Sequence, residues 1–145
     1  MEDPLTTLCG YLLQRAASSA LAELNQRLAP LGLRHAGVAM LMLIQARPGI
    51  TQSQAGRILD IQRANMVPFI ARLERLRVLR RRRVDGRSQA LELTGRGRLL
   101  LERARRVVAA HDSELLERVP EELRPAVLPV LMALWQCEPE AAARA

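Results

Sequence analysis

Thr51-Gln-Ser-Gln-Ala-Gly-Arg-Ile-Leu59 begins the stretch that decides the fold of this chain. It is followed by Gln62-Arg-Ala-Asn-Met-Val-Pro-Phe-Ile-Ala-Arg-Leu-Glu74 and then by Arg80-Arg-Arg-Arg-Val-Asp-Gly-Arg-Ser-Gln-Ala-Leu-Glu-Leu-Thr94. Thr51 and Gln54 have the spacing of a helix capping box, and Asp85-Gly86 is a strong signal for a hairpin turn. Helix, turn, helix and basic hairpin, in this order, are typical of a winged helix-turn-helix module that reads DNA.

The apolar positions within this stretch predict which faces are buried. In the first short helix we expect Ala55, Ile58 and Leu59 to point inward, because they recur at helical spacing. The buried stripe of the second helix is expected at Met66, Ile70 and Leu73, and that of the second strand at Leu91 and Leu93. Pro68 lies too deep for the first helical turn and is expected to kink the second helix.

Long apolar-striped segments flank the stretch on both sides. Residues 4–29 predict one helix, which Pro30 and Gly32 end, with a stripe at Leu5, Leu8, Leu12, Ala16, Ala20, Leu24 and Leu28. A buried central helix is expected around Val38–Ala46, a turn at Pro48-Gly49, a helix from Thr94 to about Arg118, and a last helix over 120–136. These terminal helices carry more apolar surface than a small core can cover, so we expect them to associate into a dimer.

The predicted fold class is mainly α with a small β-hairpin wing, a winged helix-turn-helix with long N- and C-terminal dimerisation helices. Residues 1–32 are assigned to the N-terminal dimerisation helix and 33–97 to the DNA-binding domain. Residues 98–138 are assigned to the C-terminal dimerisation helices, and 139–145 to a disordered tail.

The charge of the chain indicates a polyanionic partner. Its 145 residues carry a formal net charge of +7 and a sequence pI of about 11.2, which favour nucleic acid. All basic residues are arginines; a GC-rich genome explains this bias better than selection for phosphate or guanine binding. No run reaches the roughly 18 apolar residues of a membrane span, and Glu2 and Asp3 replace the basic start of a signal peptide. We therefore expect a cytoplasmic protein.

The second helix is the predicted recognition helix. The N-terminal residues of such a helix reach base edges in the major groove, where arginine suits guanine and Asn or Gln suits adenine. Gln62, Arg63 and Asn65 are therefore the candidate base readers. The remaining candidates for DNA contact in the two helices are Thr51, Gln52 and Arg72.

The hairpin is the predicted wing. Arginine at a hairpin tip can enter a narrow minor groove, where the negative potential is enhanced. Arg87 is the candidate for this contact, and Asp85 is placed to orient it by a charge-assisted hydrogen bond. Arg82 and Arg83 are candidates for phosphate contacts.

The residues that usually carry catalysis or bind metals do not form a recognisable pattern. Cys9 and Cys137 lie near opposite ends, and no His/Cys/Asp/Glu set has metal-ligand spacing. Aromatic residues make up 2% of the chain, which disfavours base-stacking platforms. We expect no enzyme activity, no cofactor and no metal.

The chain resembles the MarR family of bacterial winged helix-turn-helix regulators over most of its length. The resemblance rests on Pro48-Gly-Ile-Thr-Gln-Ser53, on the Ile61–Glu74 helix, and above all on Asp85-Gly-Arg87 followed by Leu91-Glu-Leu-Thr-Gly-Arg-Gly97. It implies a homodimer clasped by the first and last helices, which binds a pseudo-palindromic operator and represses nearby genes. It also implies an effector pocket between the dimer helices and the DNA reader.

Two short strings, Gly10-Tyr-Leu-Leu13 and Leu59-Asp-Ile-Gln-Arg-Ala-Asn-Met-Val-Pro68, are similar to members that control hydroxycinnamate degradation. That similarity implies release by a small aromatic effector, a hydroxycinnamoyl-CoA thioester, at an aromatic-acid catabolic operon. The candidate ligand contacts are Tyr11, Arg15, His35 and Met42.

Two alternatives stay open at this point. Some members of the family sense peroxide through a cysteine in the first helix, where Cys9 lies; however, Leu13 and Glu23 stand where the sensors rely on tyrosines. The other alternative is a sequence-tolerant architectural DNA-binding protein that uses the same basic face without an effector.

Overall fold

Six α-helices and one antiparallel hairpin make up the described part of the chain. The computed structural model describes residues 3–85 and 88–136, without the side chains of residues 84, 85 and 88. The elements are α1 (Cys9–Leu28), α2 (His35–Ala46), α3 (Gln52–Ile58), α4 (Arg63–Arg75), β1 (Leu79–Asp85), β2 (Ser88–Leu93), α5 (Gly95–Glu117) and α6 (Arg124–Gln136). Short 3-10 turns at Pro4–Thr7, Ala29–Leu31 and Glu121–Leu123 precede or connect helices. This is the predicted fold class. The first helix was predicted from residue 4 but begins at Cys9, because Leu8 is extended and separates it from the 3-10 turn at Pro4–Thr7; the last helix begins at Arg124 rather than at about residue 120.

The chain forms two compact units, Met1–Ala109 and Ala110–Ala145, and α5 runs through the boundary. The first unit holds α1 to α4, the hairpin and the first part of α5. The second unit holds the rest of α5 and α6. The candidate DNA-contacting residues all belong to the first unit, which therefore contains the site discussed below.

The core of the first unit is built by the predicted stripes. Met66, Ile70 and Leu73 of α4 are buried, as are Leu91 and Leu93 of β2. They pack in one cluster with apolar residues of the other elements, namely Leu24, Leu28, Leu33, Val38, Met40, Leu41, Ile44, Ile50, Ala55, Val78, Leu79, Leu101 and Ala104. Burial of this apolar surface is the main force that holds the helices around the hairpin.

The expectation for Ile58 is wrong, because its side chain is 46% exposed. Ala55 and Gly56 take the inward positions of α3 instead. A Cβ on Gly56 would lie 3.1 Å from Cγ of Met66, so α3 and α4 approach most closely at this glycine. That close approach turns the Ala55–Gly56 face toward α4 and leaves Ile58 outside.

Pro68 is accommodated inside α4, which runs unbroken from Arg63 to Arg75. The helix ends at Arg75, and Arg77, two residues further on, has a left-handed φ of 57°. The N–H of Arg77 donates to Glu74 O at 2.8 Å, and that of Val78 donates to Leu73 O at 3.3 Å. These bonds satisfy the last carbonyls of α4 in the manner of a Schellman motif.

The start of α5 is tied to the end of α4 by one hydroxyl. Thr94 Oγ1 accepts the N–H of Gly97 at 2.9 Å, as expected for a helix cap, and donates to the carbonyl of Arg77 at 2.7 Å. The Thr94 N–H donates to Val78 O at 3.1 Å. A Cβ built on Gly97 would overlap that same Val78 carbonyl, so only glycine fits there.

Apolar side chains are exposed on two terminal elements, each in its own unit. On α1 the predicted stripe is buried at Leu24 and Leu28, whereas Leu12 is 47% exposed. Leu8, which immediately precedes the helix, is 52% exposed. Among the described residues α6 has no buried side chain, and its Trp135 is 74% exposed. These surfaces are available to a second copy of the chain.

Within the described residues, no helix meets the length and hydropathy requirements of a membrane span by itself. Cys9–Leu31 and His35–Ala46 satisfy those requirements only when they are counted together, across a bend of 73°.

Substituting Gly97 tests the junction between α4 and α5. We expect Gly97→Ala to lower the free energy of unfolding by about 1–3 kcal/mol, because the added methyl must displace the Val78 carbonyl. Gly95→Ala is the matched control, since a Cβ at Gly95 meets nothing within 4 Å. Chemical denaturation at one fixed protein concentration measures both variants. Equal stability of the two would contradict the close approach described here.

Candidate nucleic-acid interface

The α3–α4 pair forms a groove in which the predicted DNA-contacting residues meet. This groove has a volume of about 800 Å³, and its walls come from α3, from the turn and from the start of α4. Its lining residues are Gln52, Ser53, Gly56, Arg57, Asp60, Ile61, Gln62, Arg63, Met66 and Val67. Three of the candidates, Gln52, Gln62 and Arg63, are thus brought together around one concave surface.

The turn between the two helices is fixed by backbone geometry. Asp60 has a left-handed φ of 50°, a conformation that Asp tolerates better than most residues. The N–H of Ile61 donates to Gly56 O at 2.9 Å, which closes the end of α3. The two helices therefore present their N-terminal residues in a fixed arrangement.

Thr51 is engaged in the capping box at the start of α3. Its Oγ1 accepts the backbone N–H of Gln54 at 3.3 Å, and its own N–H donates to Gln54 Oε1 at 2.9 Å. Thr51 also forms an isolated antiparallel bridge with Ala90 of β2, and the Leu91 N–H donates to Ile50 O at 2.8 Å. The start of α3 is thereby attached to the hairpin as well as to α4.

The exposed side of α4 carries the predicted base readers. Gln62 is the N-cap residue, and its carbonyl accepts the N–H groups of Asn65 at 2.9 Å and Met66 at 3.2 Å. The side chains of Gln62, Arg63, Asn65 and Arg72 are all exposed. The arrangement leaves amide and guanidinium groups free to bond to base edges or phosphates.

The arginines of β1 fall into two groups. Arg80 pairs with Glu92 of β2 at 2.9 Å, and Arg81 pairs with Glu74 of α4 at 3.2 Å. For Arg82 and Arg83, both exposed, the described part of the structure holds no carboxylate partner. Within β1, the guanidinium groups that can bind an outside anion are therefore those of Arg82 and Arg83.

The strands pair antiparallel from Leu79↔Leu93 to Asp85↔Ser88, with an irregularity between Arg83 and Asp85. The two remaining wing candidates are not placed: Arg87 and the side chain of Asp85 lie outside the described residues.

The four candidate ligand contacts are spread over two helices. Tyr11 is half-buried and Arg15 exposed on α1, and Met42 is 42% exposed on α2. His35 is half-buried at the start of α2 and lines a cavity of about 240 Å³ between α2 and α4, together with Gly32, Leu33, Arg34, Ala36, Gly37, Phe69, Arg72 and Leu73. The other three candidates do not line this cavity.

His35 is held by a residue of α1. Its backbone N–H donates to Asn25 Oδ1 at 2.8 Å, and its ring Nδ1 lies 3.1 Å from the same oxygen. The pKa of His35 is lowered from its ordinary value of 6.5, first by partial burial and then by the positive charge of Arg34. Both causes disfavour the protonated ring.

Cys9 is free and exposed at the start of α1. Cys137 lies outside the described residues. Within residues 3–85 and 88–136, no group of three or more His, Cys, Asp or Glu side chains is arranged to hold a metal ion.

Seven of the ten residues that line the groove were not predicted as DNA contacts from the sequence, and four of these are exposed: Ser53, Arg57, Asp60 and Val67. Val67 lies one helical turn after Arg63, so its position on the same face follows from helical spacing. Ser53 adjoins Gln52. Sequence reasoning passed over Val67 because only polar side chains were considered as base readers.

This geometry is that of a winged helix-turn-helix, a class of DNA-binding protein. No protein-family model matches the chain. The HTH-type transcriptional repressor Rv2887 of Mycobacterium tuberculosis is 32% identical over 112 residues, which cover 76% of this chain and 81% of the relative. The chain therefore belongs to the MarR family, to which Rv2887 is assigned.

Solved structures agree with this assignment. The transcriptional repressor CouR bound to a 23-mer DNA duplex is 33% identical, with a TM-score of 0.84 over 92% of this chain and 99% of that chain. CouR bound to p-coumaroyl-CoA is 32% identical, with a TM-score of 0.86 over 95% and 99%. Rv2887 in complex with salicylic acid is 29% identical, with a TM-score of 0.71 over 92% and 97%.

The environment of His35 makes stability depend on pH. Because its pKa is lowered in the folded state, the unfolded chain binds more protons between that pKa and 6.5. The contribution of His35 is therefore fully present above pH 6.5 and is lost as pH falls below it. We expect the free energy of unfolding to fall more between pH 7.5 and pH 5 in the wild type than in His35→Gln.

Denaturant titrations at both pH values, at one protein concentration, give this difference. His111 and the carboxylates are common to both proteins, so their contributions cancel in the comparison. An equal pH dependence of the two proteins would contradict the lowered pKa.

Proposed function

We propose that the chain is a DNA-binding transcriptional repressor whose binding is released by a small aromatic effector. The observation that carries this proposal is the groove between α3 and α4, where Gln52, Gln62 and Arg63 meet beside a hairpin whose outer arginines are exposed. A major groove admits one α-helix, and exposed amide and guanidinium groups on that helix can bond to base edges. CouR, solved with a DNA duplex, supports the same role for the equivalent fold.

The proposed contacts divide by chemistry. Gln62, Arg63 and Asn65 read base edges, while Thr51, Gln52, Arg72, Arg82 and Arg83 hold the protein on the duplex. Asp85 and Arg87 form the tip that enters the minor groove. Phosphate contacts fix the register of the helix, and base contacts supply the specificity.

The proposed oligomer is a homodimer. The exposed apolar stripes of α1 and α6 support it, because surfaces of this extent are rarely left to solvent in a monomer. We assign residues 1–32 and 98–138 to dimerisation and 33–97 to DNA binding. A two-fold dimer binds a pseudo-palindromic operator, since each half-site receives one recognition helix.

The proposed effector is an aryl-CoA thioester, hydroxycinnamoyl-CoA, and the regulated genes belong to aromatic-acid catabolism. CouR bound to p-coumaroyl-CoA supports this class of ligand, and Rv2887 with salicylic acid supports a small aromatic acid more generally. Tyr11, Arg15, His35 and Met42 are the proposed contacts. The effector must bind more tightly to the form of the dimer that does not fit DNA, because only differential affinity shifts the equilibrium.

We further propose that the protein is cytoplasmic, uses no cofactor and has no catalytic activity of its own. The relatives are named as transcriptional repressors, which supports a binding rather than a catalytic role.

The test of the proposal is a footprint of the purified protein on DNA flanking its own gene, at physiological salt. We expect a discrete pseudo-palindromic footprint that p-coumaroyl-CoA removes at micromolar concentration. Free CoA and p-coumarate are the matched controls for the two parts of the ligand. Diffuse coverage that disappears with salt would contradict the proposal and favour an architectural protein.

The same footprinting assay distinguishes the peroxide-sensing alternative from release by an aryl-CoA thioester. The exposed position of Cys9 is the observation that favours this alternative. A footprint released by peroxide in the wild type but not in Cys9→Ser would establish it, and release by p-coumaroyl-CoA in Cys9→Ser would exclude the thiol from the response.

The two groups of wing arginines should differ in their effect on DNA binding. We expect Arg82→Ala to weaken operator binding and to reduce the slope of log K against log salt by roughly 0.9 for each phosphate that the protein no longer neutralises. Arg80→Ala should change the slope less, because Glu92 already neutralises that guanidinium at 2.9 Å. Fluorescence anisotropy over a salt series measures both slopes. A larger change for Arg80 would contradict the grouping.

A further inference from the structure

The exposed surface of α4 is not uniformly polar. Ala64, Val67 and Pro68 are all exposed, and Val67 is 59% exposed. At 100° per residue, Ala64 and Pro68 lie opposite the buried stripe of Met66 and Ile70. Val67 lies beside that stripe, on the same side of the helix as Arg63, with which it lines the groove. We call Ala64, Val67 and Pro68 the apolar strip of α4.

The surroundings of the strip determine what could cover it. Val67 shares the wall of the α3–α4 groove with Arg57 and Arg63. Arg72 is exposed one turn further along α4. An apolar protein surface would leave these guanidinium groups without partners at a desolvation cost, whereas a duplex offers both anionic phosphates and apolar groups.

Only one base presents an apolar group in the major groove. The C5-methyl of thymine projects there, and small apolar side chains such as alanine are its usual partners. Ala64, Val67 and Pro68 carry no polar side-chain atom, so they can distinguish bases only through contacts of this kind.

We propose that the apolar strip of α4 reads thymine methyl groups in the operator, with Val67 as the principal contact. This inference rests on the proposed function, because it needs α4 to lie in a major groove. Gln62, Arg63 and Asn65 then select bases by hydrogen bonding, and Val67 selects thymine over cytosine by contact with its methyl. Each half-site carries at least one thymine opposite Val67.

Contact between Val67 and one thymine methyl should make a small but measurable contribution to the affinity for DNA. Burial of one methyl group against Val67 corresponds to about a fourfold change in affinity. Two equivalent half-sites would make this about fifteenfold when both methyls are removed. Effects of this size are well within the range of an anisotropy titration.

The experiment deletes the methyl from the DNA and the side chain from the protein. The preferred duplex is first selected from a random library with the full-length protein. Each thymine is then replaced by deoxyuridine, which keeps every hydrogen-bonding group and lacks only the C5-methyl. We expect one symmetric pair of replacements to weaken wild-type binding about fifteenfold, and the remaining replacements to change it little.

The matching variant is Val67→Ala. It should bind the thymine duplex more weakly than the wild type and should lose most of its preference for thymine over deoxyuridine at that pair. Val67→Thr retains one methyl and should keep part of the preference. Ile58→Ala truncates another side chain of the first unit, 46% exposed on α3 and outside the lining of the α3–α4 groove, and should keep all of it. Thermal unfolding of each variant verifies that it is folded.

The possible failures are distinguishable. Selection of no defined sequence would overturn the proposed function together with this inference. A defined sequence whose affinity is unchanged by every deoxyuridine replacement would overturn the inference alone. A thymine preference that persists undiminished in Val67→Ala would assign the methyl contact to a different residue and would also overturn it.

Discussion

The carbonyl of Val78 is the point on which the geometry of the DNA reader depends. It accepts the N–H of Thr94, and it lies so close to Gly97 that no larger residue fits there. The hydroxyl of Thr94 joins the end of α4 to the start of α5 through Arg77 and Gly97. Since β1 begins directly after Val78, the recognition helix, the wing and the long helix all meet at this junction. Their relative positions are therefore fixed by shared hydrogen bonds and by the close approach at Gly97.

Ion pairs between charged side chains also join these elements at the surface. The Glu74–Arg81 pair joins α4 to β1, and the Arg80–Glu92 pair joins the two strands. Exposed pairs of this kind contribute little stability, about 0–1 kcal/mol each. Their larger effect is on where free charge remains, because they neutralise the base of the wing and leave its outer part positive. Charge placed in this way would favour contact with DNA through the tip.

The elements that the sequence predicted well are those with local signals. The capping box of Thr51 and the cap at Thr94 require only residues three positions away, and the hairpin was indicated by its turn. Two features could not be predicted because they join residues that are distant in sequence or in different elements. These are the ion pair of Arg81 with Glu74 and the capping of α2 by Asn25 of α1. The polar candidates Gln62, Arg63 and Asn65 are exposed on α4, as helical periodicity indicated, and their contact with DNA stays a prediction. Val67, an apolar residue of the same groove, was not predicted, because only polar side chains were considered as base readers.

The contacts that hold α3 against α4 and the hairpin constrain how an effector could release the protein from DNA. α3 is attached to α4 through Gly56 and to the hairpin through Thr51, so the reader has few internal degrees of freedom. A ligand that deformed it would have to disrupt the buried cluster, and the free energy of that disruption would reduce its own affinity. Moving whole readers relative to one another in a dimer costs far less, since no core packing is broken. The lowest-cost way for an effector to release DNA is therefore to change the spacing between the two copies. The residues that bind the effector need not contact the groove between α3 and α4.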